Sequence, residues 1–273
     1  MRTAPLLAFL VALVWGCSDD GTSKPKETGP YPDIAVGDQG PMPDQGPMPE
    51  QGPLPDQGPV GDGPGTALKI SDIQDTASPK HPAVDSVVTV TGVITAVSSR
   101  QSSSGDYVGF FVQDPAGGPY SGIYVYYAWN DSATLKPAEG DEIEITGTYT
   151  EYYDVSELKD VTWTKKGTAT VPAPAQVAAA DVATSGTKGE EYEGVLIEVA
   201  NLEIDSFEKG SGGTTNVAFV DKTTGLLVDY MLYDFLNPTP PPVGTTYSKV
   251  VGPLHYSYSN FKVAPRKAGD LVP

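Results

Sequence analysis

Between residues 67 and 166, hydrophobic and polar positions alternate in short runs, and turn-forming residues separate the runs. A period of two sends successive side chains to opposite faces, which is the pattern of half-buried strands in an all-β barrel or sandwich. The run Val87 to Val97 predicts one long strand with Gly92 at its middle, a place where small-barrel strands commonly bend or bulge. Tyr107 to Gln113 and Gly122 to Tyr127 flank Asp114-Pro115-Ala116-Gly117-Gly118 and predict a hairpin. Gly140 to Tyr152 supplies a fourth strand and Val155 to Leu158 a short fifth.

The same order of runs returns further along. Tyr192 through Ile204 corresponds to the first strand, Val217 to Asp221 answers Gly109 to Asp114, and Leu226 to Tyr230 answers Ile123 to Tyr127. Gly244 to Gly252, with Leu254 to Val263 after it, matches Gly140 to Gly147 and the residues beyond. Between the copies, Pro172-Ala173-Pro174 and Gln176 to Ala183 predict a connector with one or two helical turns, and Gly210 to Gly213 predicts a hairpin turn. Five strands, a central bend in the first and a closing strand that starts at a Gly-Asp turn fit an OB-fold barrel. The expected fold is therefore all-β: two tandem OB-fold-like five-stranded barrels, one over residues 67–166 and a diverged one, with its connector, over 167–273.

Neither pattern extends to the amino terminus. Arg2 precedes an uncharged apolar run from Leu6 to Trp15, too short for the roughly 20 residues a membrane span needs and typical of a secretory signal. Cys17 is the sole cysteine, and Val14-Trp15-Gly16-Cys17 resembles the lipobox of bacterial lipoproteins, although that family usually has a small residue where Trp15 stands. The resemblance implies a signal peptide over residues 1–16 and diacylglyceryl attachment to Cys17, whose several acyl chains would anchor the protein stably to a membrane. The expected location is exported and lipid-anchored to the cell envelope, at the outer membrane if the cell is Gram-negative, because Ser18 follows the cysteine. An ordinary cleaved signal with an incidental cysteine is the alternative.

Residues 17–66 repeat Asp38-Gln39-Gly40-Pro41 as Asp44-Gln45-Gly46-Pro47, Glu50-Gln51-Gly52-Pro53 and Asp56-Gln57-Gly58-Pro59. So much proline forbids helix, each glycine breaks polyproline stiffness, and too few apolar residues remain for a core. This stretch is expected to be a flexible spacer with an upper reach on the order of 150 Å.

Composition adds turns and aromatic strands to this picture: 30 Gly, 26 Pro and 15 Tyr in 273 residues. The net charge of −18 is spread over spacer and both modules, which favours solubility and does nothing to attract a polyanion.

Sequence motifs for catalysis are lacking. The two histidines, His81 and His255, build no metal-ligand spacing, and His255 is expected as a partly buried strand residue. No nucleophile elbow occurs, and the Gly210 to Gly213 loop lacks the lysine and helix of a phosphate loop. Asp141, Glu142 and Glu144 lack the spacing of a calcium loop and are expected on a solvated strand edge. The sequence thus predicts neither an enzyme nor a cofactor or metal site.

Val108-Gly109-Phe110-Phe111-Val112-Gln113-Asp114, with Gly140-Asp141 and Gly147 after it, resembles OB-fold modules that accompany secreted bacterial endonuclease/exonuclease/phosphatase-type nucleases. The second module is similar to the adjoining segment of those proteins, from Glu193-Gly194-Val195-Leu196 to near Pro265-Arg266. This resemblance covers residues 67–273 and implies nucleic-acid binding or assistance to a catalytic domain, whose own carboxylate and histidine motifs do not occur in the sequence.

If Ile123 and Val125 point into the barrel, Tyr124 and Tyr126 point outward on the face where OB-folds bind, with Trp129 and Tyr152 nearby in sequence. Such rings stack on bases or sugars, although tyrosine is also simply a favoured strand residue. Lys262 and Arg266, beside Lys267, form the one local basic cluster of the second module. Two readings stay open: a binding module for single-stranded nucleic acid, or a structural or adhesive envelope protein that holds a protein or glycan partner.

Overall fold

The computed structural model describes residues 66–102, 104–210 and 213–273. The signal peptide, Cys17 and the spacer predicted from sequence lie outside the described residues.

The first module opens with β1 (Thr66–Leu68), which runs parallel to β2 (Val87–Val97), and with the single turn α1 (Ile70–Gln74). β2 pairs antiparallel with β3 (Tyr107–Gln113), and β3 with β4 (Gly122–Trp129). β4 then pairs in parallel with β6 (Ser156–Thr168), β6 antiparallel with β5 (Asp141–Glu151), and β5 with β2, which closes a five-stranded barrel. Gly92 is obligatory in β2 because a Cβ there would stand 2.6 Å from Val112 Cγ1 and 2.9 Å from the Gln113 carbonyl. The register shift in this strand falls just after it, between Ile94 and Ala96. Ile70 and Ile73 of α1 are buried with Ile94, Phe110, Ile123, Val125, Ile143, Ile145 and Leu158 in the barrel core. The Asp114 carboxylate at the end of β3 accepts the amides of Ile70 (3.2 Å) and Ser71 (3.1 Å), satisfying donors that the start of α1 would otherwise leave unpaired.

The second module repeats this plan. β7 (Ala175–Gln176) is parallel to β8 (Leu196–Lys209), as β1 is to β2. The short turns α2 (Ala179–Val182) and α3 (Gly189–Tyr192) lie between them; α2 falls within the expected connector, whereas α3 lies beyond it. β8 pairs with β9 (Asn216–Asp221), β9 with β10 (Leu227–Asp229), and β10 in parallel with β12 (Asn260–Val263). β12 pairs with β11 (Thr246–Ser257), and β11 returns to β8, closing a second ring in the same order. β13 (Leu271–Val272) adds to the edge of β11. The fold is all-β, with two tandem OB-fold-like five-stranded barrels.

Three details differ from the sequence reading. The fifth strand is β6, which continues to Thr168 and carries Trp163 into the core; its remaining positions past Leu158 are mostly exposed and polar, so the alternation is faint there. The first strand of the second barrel starts at Leu196, after α3, not at Tyr192. Asp141 is buried and ion-paired to Lys165 on β6, so it does not lie on a solvated edge.

Candidate binding surface

Ile123 and Val125 do enter the first barrel's core, and Tyr124 faces outward, as period two requires. Yet Tyr124 is only 5 % exposed, because the second module packs onto that face. Ala96, Phe111 and Tyr124 from β2, β3 and β4 meet Leu232 and Ala264 of the second module in a separate apolar cluster, with Tyr126 and Met231 at its margin. Hydrogen bonds tie the seam along its length. The amide of Ser99 donates to the Leu232 carbonyl (3.1 Å), that of Leu196 to Gln113 Oε1 (3.1 Å) and that of Tyr120 to the Glu191 carbonyl (2.6 Å). Arg100 crosses the seam with its guanidinium 3.7 Å from the centre of the Tyr230 ring. Tyr124 is therefore a seam residue and offers no ring face to a ligand in this arrangement; the outward face of β2–β4 is the one an OB barrel would present to a single strand.

The expected basic cluster is not a free positive surface either. Lys262 is buried 3.4 Å from Asp229 Oδ2, with His255 Nε2 3.8 Å from the same oxygen and outside hydrogen-bonding distance. Burial pushes Asp229 up, but His255 and Lys262 outweigh it and hold the carboxyl below its ordinary value. Arg266 makes a two-pronged pair with Asp270 (2.9 Å from both Nε and Nη2) and donates to the Thr95 carbonyl of the first barrel at 3.1 Å. Glu139 of the first module lies 3.5 Å from Arg266 and 3.2 Å from Lys267. Because each of these cations already faces a carboxylate, the cluster serves the seam and the second barrel's outer face; Asp229 and Glu139 come from distant segments that the sequence does not connect, whereas Asp270 lies only four residues beyond Arg266.

Trp129 sits at one end of the first barrel, nearly buried. It lies between Tyr107 and Tyr127, with near-parallel ring planes (21° and 15°) and centroids 5.8 and 6.1 Å away. Trp163 meets Tyr127 edge-on, and its buried Nε1 has no hydrogen-bond partner among the described residues. This group closes the barrel end.

Tyr152 lies close enough to Tyr126 to act on its hydroxyl. Burial, Glu157 and Tyr152 raise the Tyr126 hydroxyl; burial, Tyr153, Glu157 and Tyr258 raise that of Tyr152. Tyr152 and Tyr153 meet edge to face at 4.7 Å. Tyr153 and Tyr258 are 81 % and 71 % exposed, the two most exposed of the large apolar side chains among the described residues. Each begins a two-residue hairpin loop. Tyr153-Asp154 (φ +49° and +63°) links β5 to β6, and Tyr258-Ser259 (φ +51° and +60°) links β11 to β12. Positive φ at both loop positions marks a type I′ turn, whose usual residues are Asn and Gly. For that reason neither loop is signalled in the sequence.

Beside the first hairpin, α3 and the residue after it bring further carboxylates. Glu193 is buried and accepts the Ser156 amide at 2.9 Å; burial first, then Glu190, Glu151 and Asp154, raise its carboxyl well above the ordinary value. Burial, Glu151 and Asp154 also raise Glu190. Among the described residues, no lysine, arginine or histidine pairs with any of these four acids. Nor does any group of three His, Cys, Asp or Glu among the described residues have an arrangement that could hold a metal ion. No family model matches the chain, and no curated protein matches it.

Proposed function

We propose that this chain is a non-catalytic binding protein of the cell envelope. Cys17 anchors it, the Gly/Pro repeat spaces it from the lipid, and a two-barrel head holds a protein or glycan partner. The observation that carries this preference over single-stranded nucleic acid is the state of the expected nucleic-acid surface. Its face on β2–β4 is packed against the second barrel, and Lys262, Arg266 and Lys267 are each paired with a carboxylate. Binding a single strand requires unpaired cations to neutralise phosphates and exposed rings to stack bases. The pervasive negative charge opposes the same ligand. The test is a titration of the full chain with a labelled single-stranded oligonucleotide at low and at physiological salt. The expected result is no saturable binding at either. Saturable binding that weakens with salt, at a logarithmic slope of about −0.7 per neutralised phosphate, would overturn the proposal.

A further inference from the structure

Three adjacent strands of the second barrel bring an acid, an amine and an imidazole to one spot. Lys262 of β12 is the register partner of Leu227 on β10 and of His255 on β11, and Asp229 follows Leu227 by two on the same face of β10. Asp229, His255 and Lys262 are only 5 %, 7 % and 7 % exposed, and the Tyr258 ring lies over Lys262 Nζ at 5.5 Å. The two oxygens of Asp229 have different surroundings. Oδ1 accepts the Met231 amide. Oδ2 faces Lys262 Nζ at 3.4 Å and His255 Nε2 at 3.8 Å. That imidazole nitrogen is buried with no hydrogen-bond partner among the described residues, a costly arrangement for a histidine that only fills space.

These are the parts of an acyl transfer. Lys262 supplies an amine nucleophile and Asp229 a carboxyl carbon; a backbone donor sits on the oxygen that would stay, and a proton carrier stands beside the oxygen that would leave. Two effects favour condensation here over a salt bridge in water. The reacting groups are already placed side by side, which replaces a bimolecular encounter by an intramolecular one. Condensation also removes two charges from a buried site, where desolvation makes each of them costly.

We propose that Asp229 and Lys262 condense into an isopeptide bond, a covalent link between β10 and β12. A proton passes from the Lys262 ammonium to Asp229 Oδ2, leaving a neutral amine beside a neutral acid. Nζ attacks Cγ, and the Met231 amide stabilises the negative charge that develops on Oδ1. His255 Nε2 takes a proton from the nitrogen and passes it to Oδ2, which departs as water while the new C–N bond remains. One ammonium and one carboxylate give one amide and one water, so no oxidant, reductant or co-reactant is needed. The parallel pairing that closes the ring at this point is short, Leu227 with Lys262 and Val228 with Val263, and the bond staples it. This inference is independent of what the head binds.

The test is mass spectrometry of the denatured full chain beside its Lys262→Met variant, which carries the same lipid. The native chain should be lighter by one water than the substitution alone accounts for. Fragmentation of its protease digest should place Asp229 and Lys262 in one branched peptide. His255→Gln should lack the bond when fresh and acquire it at least about a hundredfold more slowly, the scale of a lost proton carrier. A native chain that differs from Lys262→Met by the substitution alone, with Asp229 and Lys262 in unbranched peptides, would overturn the inference and leave a buried ion pair. The same loss of water in Lys262→Met would place it elsewhere in the chain and overturn it equally. Linkage in His255→Gln as fast as in the native chain would overturn the role given to His255.

Discussion

Gly122 of β4 and Gly194, just ahead of β8, press backbone against backbone across the seam. A Cβ on Gly122 would stand 2.1 Å from the Gly194 carbonyl oxygen, and one on Gly194 would stand 2.6 Å from the carbonyl carbon of Gly122. Gly194 also has φ +72°, so it needs glycine for its own conformation as well. Gln74 Nε2 donates to the Gly122 carbonyl at 2.6 Å, which fixes this strand end from the other side. The approach lets the apolar seam close with no intervening layer of side chains.

Substituting Gly122 by Ala should therefore pry the barrels apart. The expected loss is about 1–3 kcal/mol, the range for overpacking a filled site. It should also reduce the cooperativity between barrels, since domains coupled through an interface unfold together only while the interface holds. Urea unfolding measures this. Trp129 and Trp163 both report on the first barrel, while circular dichroism follows both. Coincident midpoints are expected for the native chain and separated ones for G122A; an unchanged midpoint in G122A would show that the contact is soft.

The buried pair of Asp229 with Lys262 gives a second outcome. Asp229→Asn removes the charge that compensates Lys262 and should destabilise by about 3–5 kcal/mol, because it leaves a buried cation unpaired. Adding Lys262→Met to that variant should recover a large part of the loss. Thermal melts of the single and double variants check this, and equal stability of the two would mean that the lysine finds water in the single variant.

Glu193 predicts a pH dependence of the opposite sense to an ordinary salt-bridged acid. Its folded carboxyl titrates well above the unfolded value near 4.5. Below that value both states are protonated and there is no penalty. As pH rises above it the unfolded state loses its proton first, so folding stability falls until pH passes the folded value. Glu193→Gln can still accept the Ser156 amide and should flatten this fall. Melting temperature measured from about pH 4 upward should therefore drop more steeply for the native chain than for E193Q. Parallel curves would mean that Glu193 is ionised without cost.

For the anchor, Cys17→Ala should abolish labelling by a fatty-acid analogue and move the protein from the membrane fraction to the soluble one. Retention of the variant on membranes would contradict the proposed attachment.

Strand order, the repeated module and the inward set of Ile123 and Val125 are readable from the sequence, because period-two alternation and turn residues are local signals. The fate of Tyr124 is not, since facing outward from one barrel says nothing of what docks there. Lys262 and Arg266 mislead for the same reason: the carboxylates that neutralise them, Asp229 and Asp270 with Glu139, are recognised only once the chain is folded. Tyr258 and Glu193 carry no such signal, because a type I′ turn without Asn or Gly has no sequence signature and a buried acid looks like any other. Tyr126 and Tyr152 are legible through strand alternation and simple proximity in sequence.

If the second barrel seals the outward face of β2–β4, that face should exchange slowly and stay closed to a single strand. Amide hydrogen exchange of the full chain, with and without excess single-stranded oligonucleotide, tests this most directly. The expected result is slow exchange across β2–β4 that the oligonucleotide leaves unchanged. New protection of β3 and β4 on adding the oligonucleotide would contradict it.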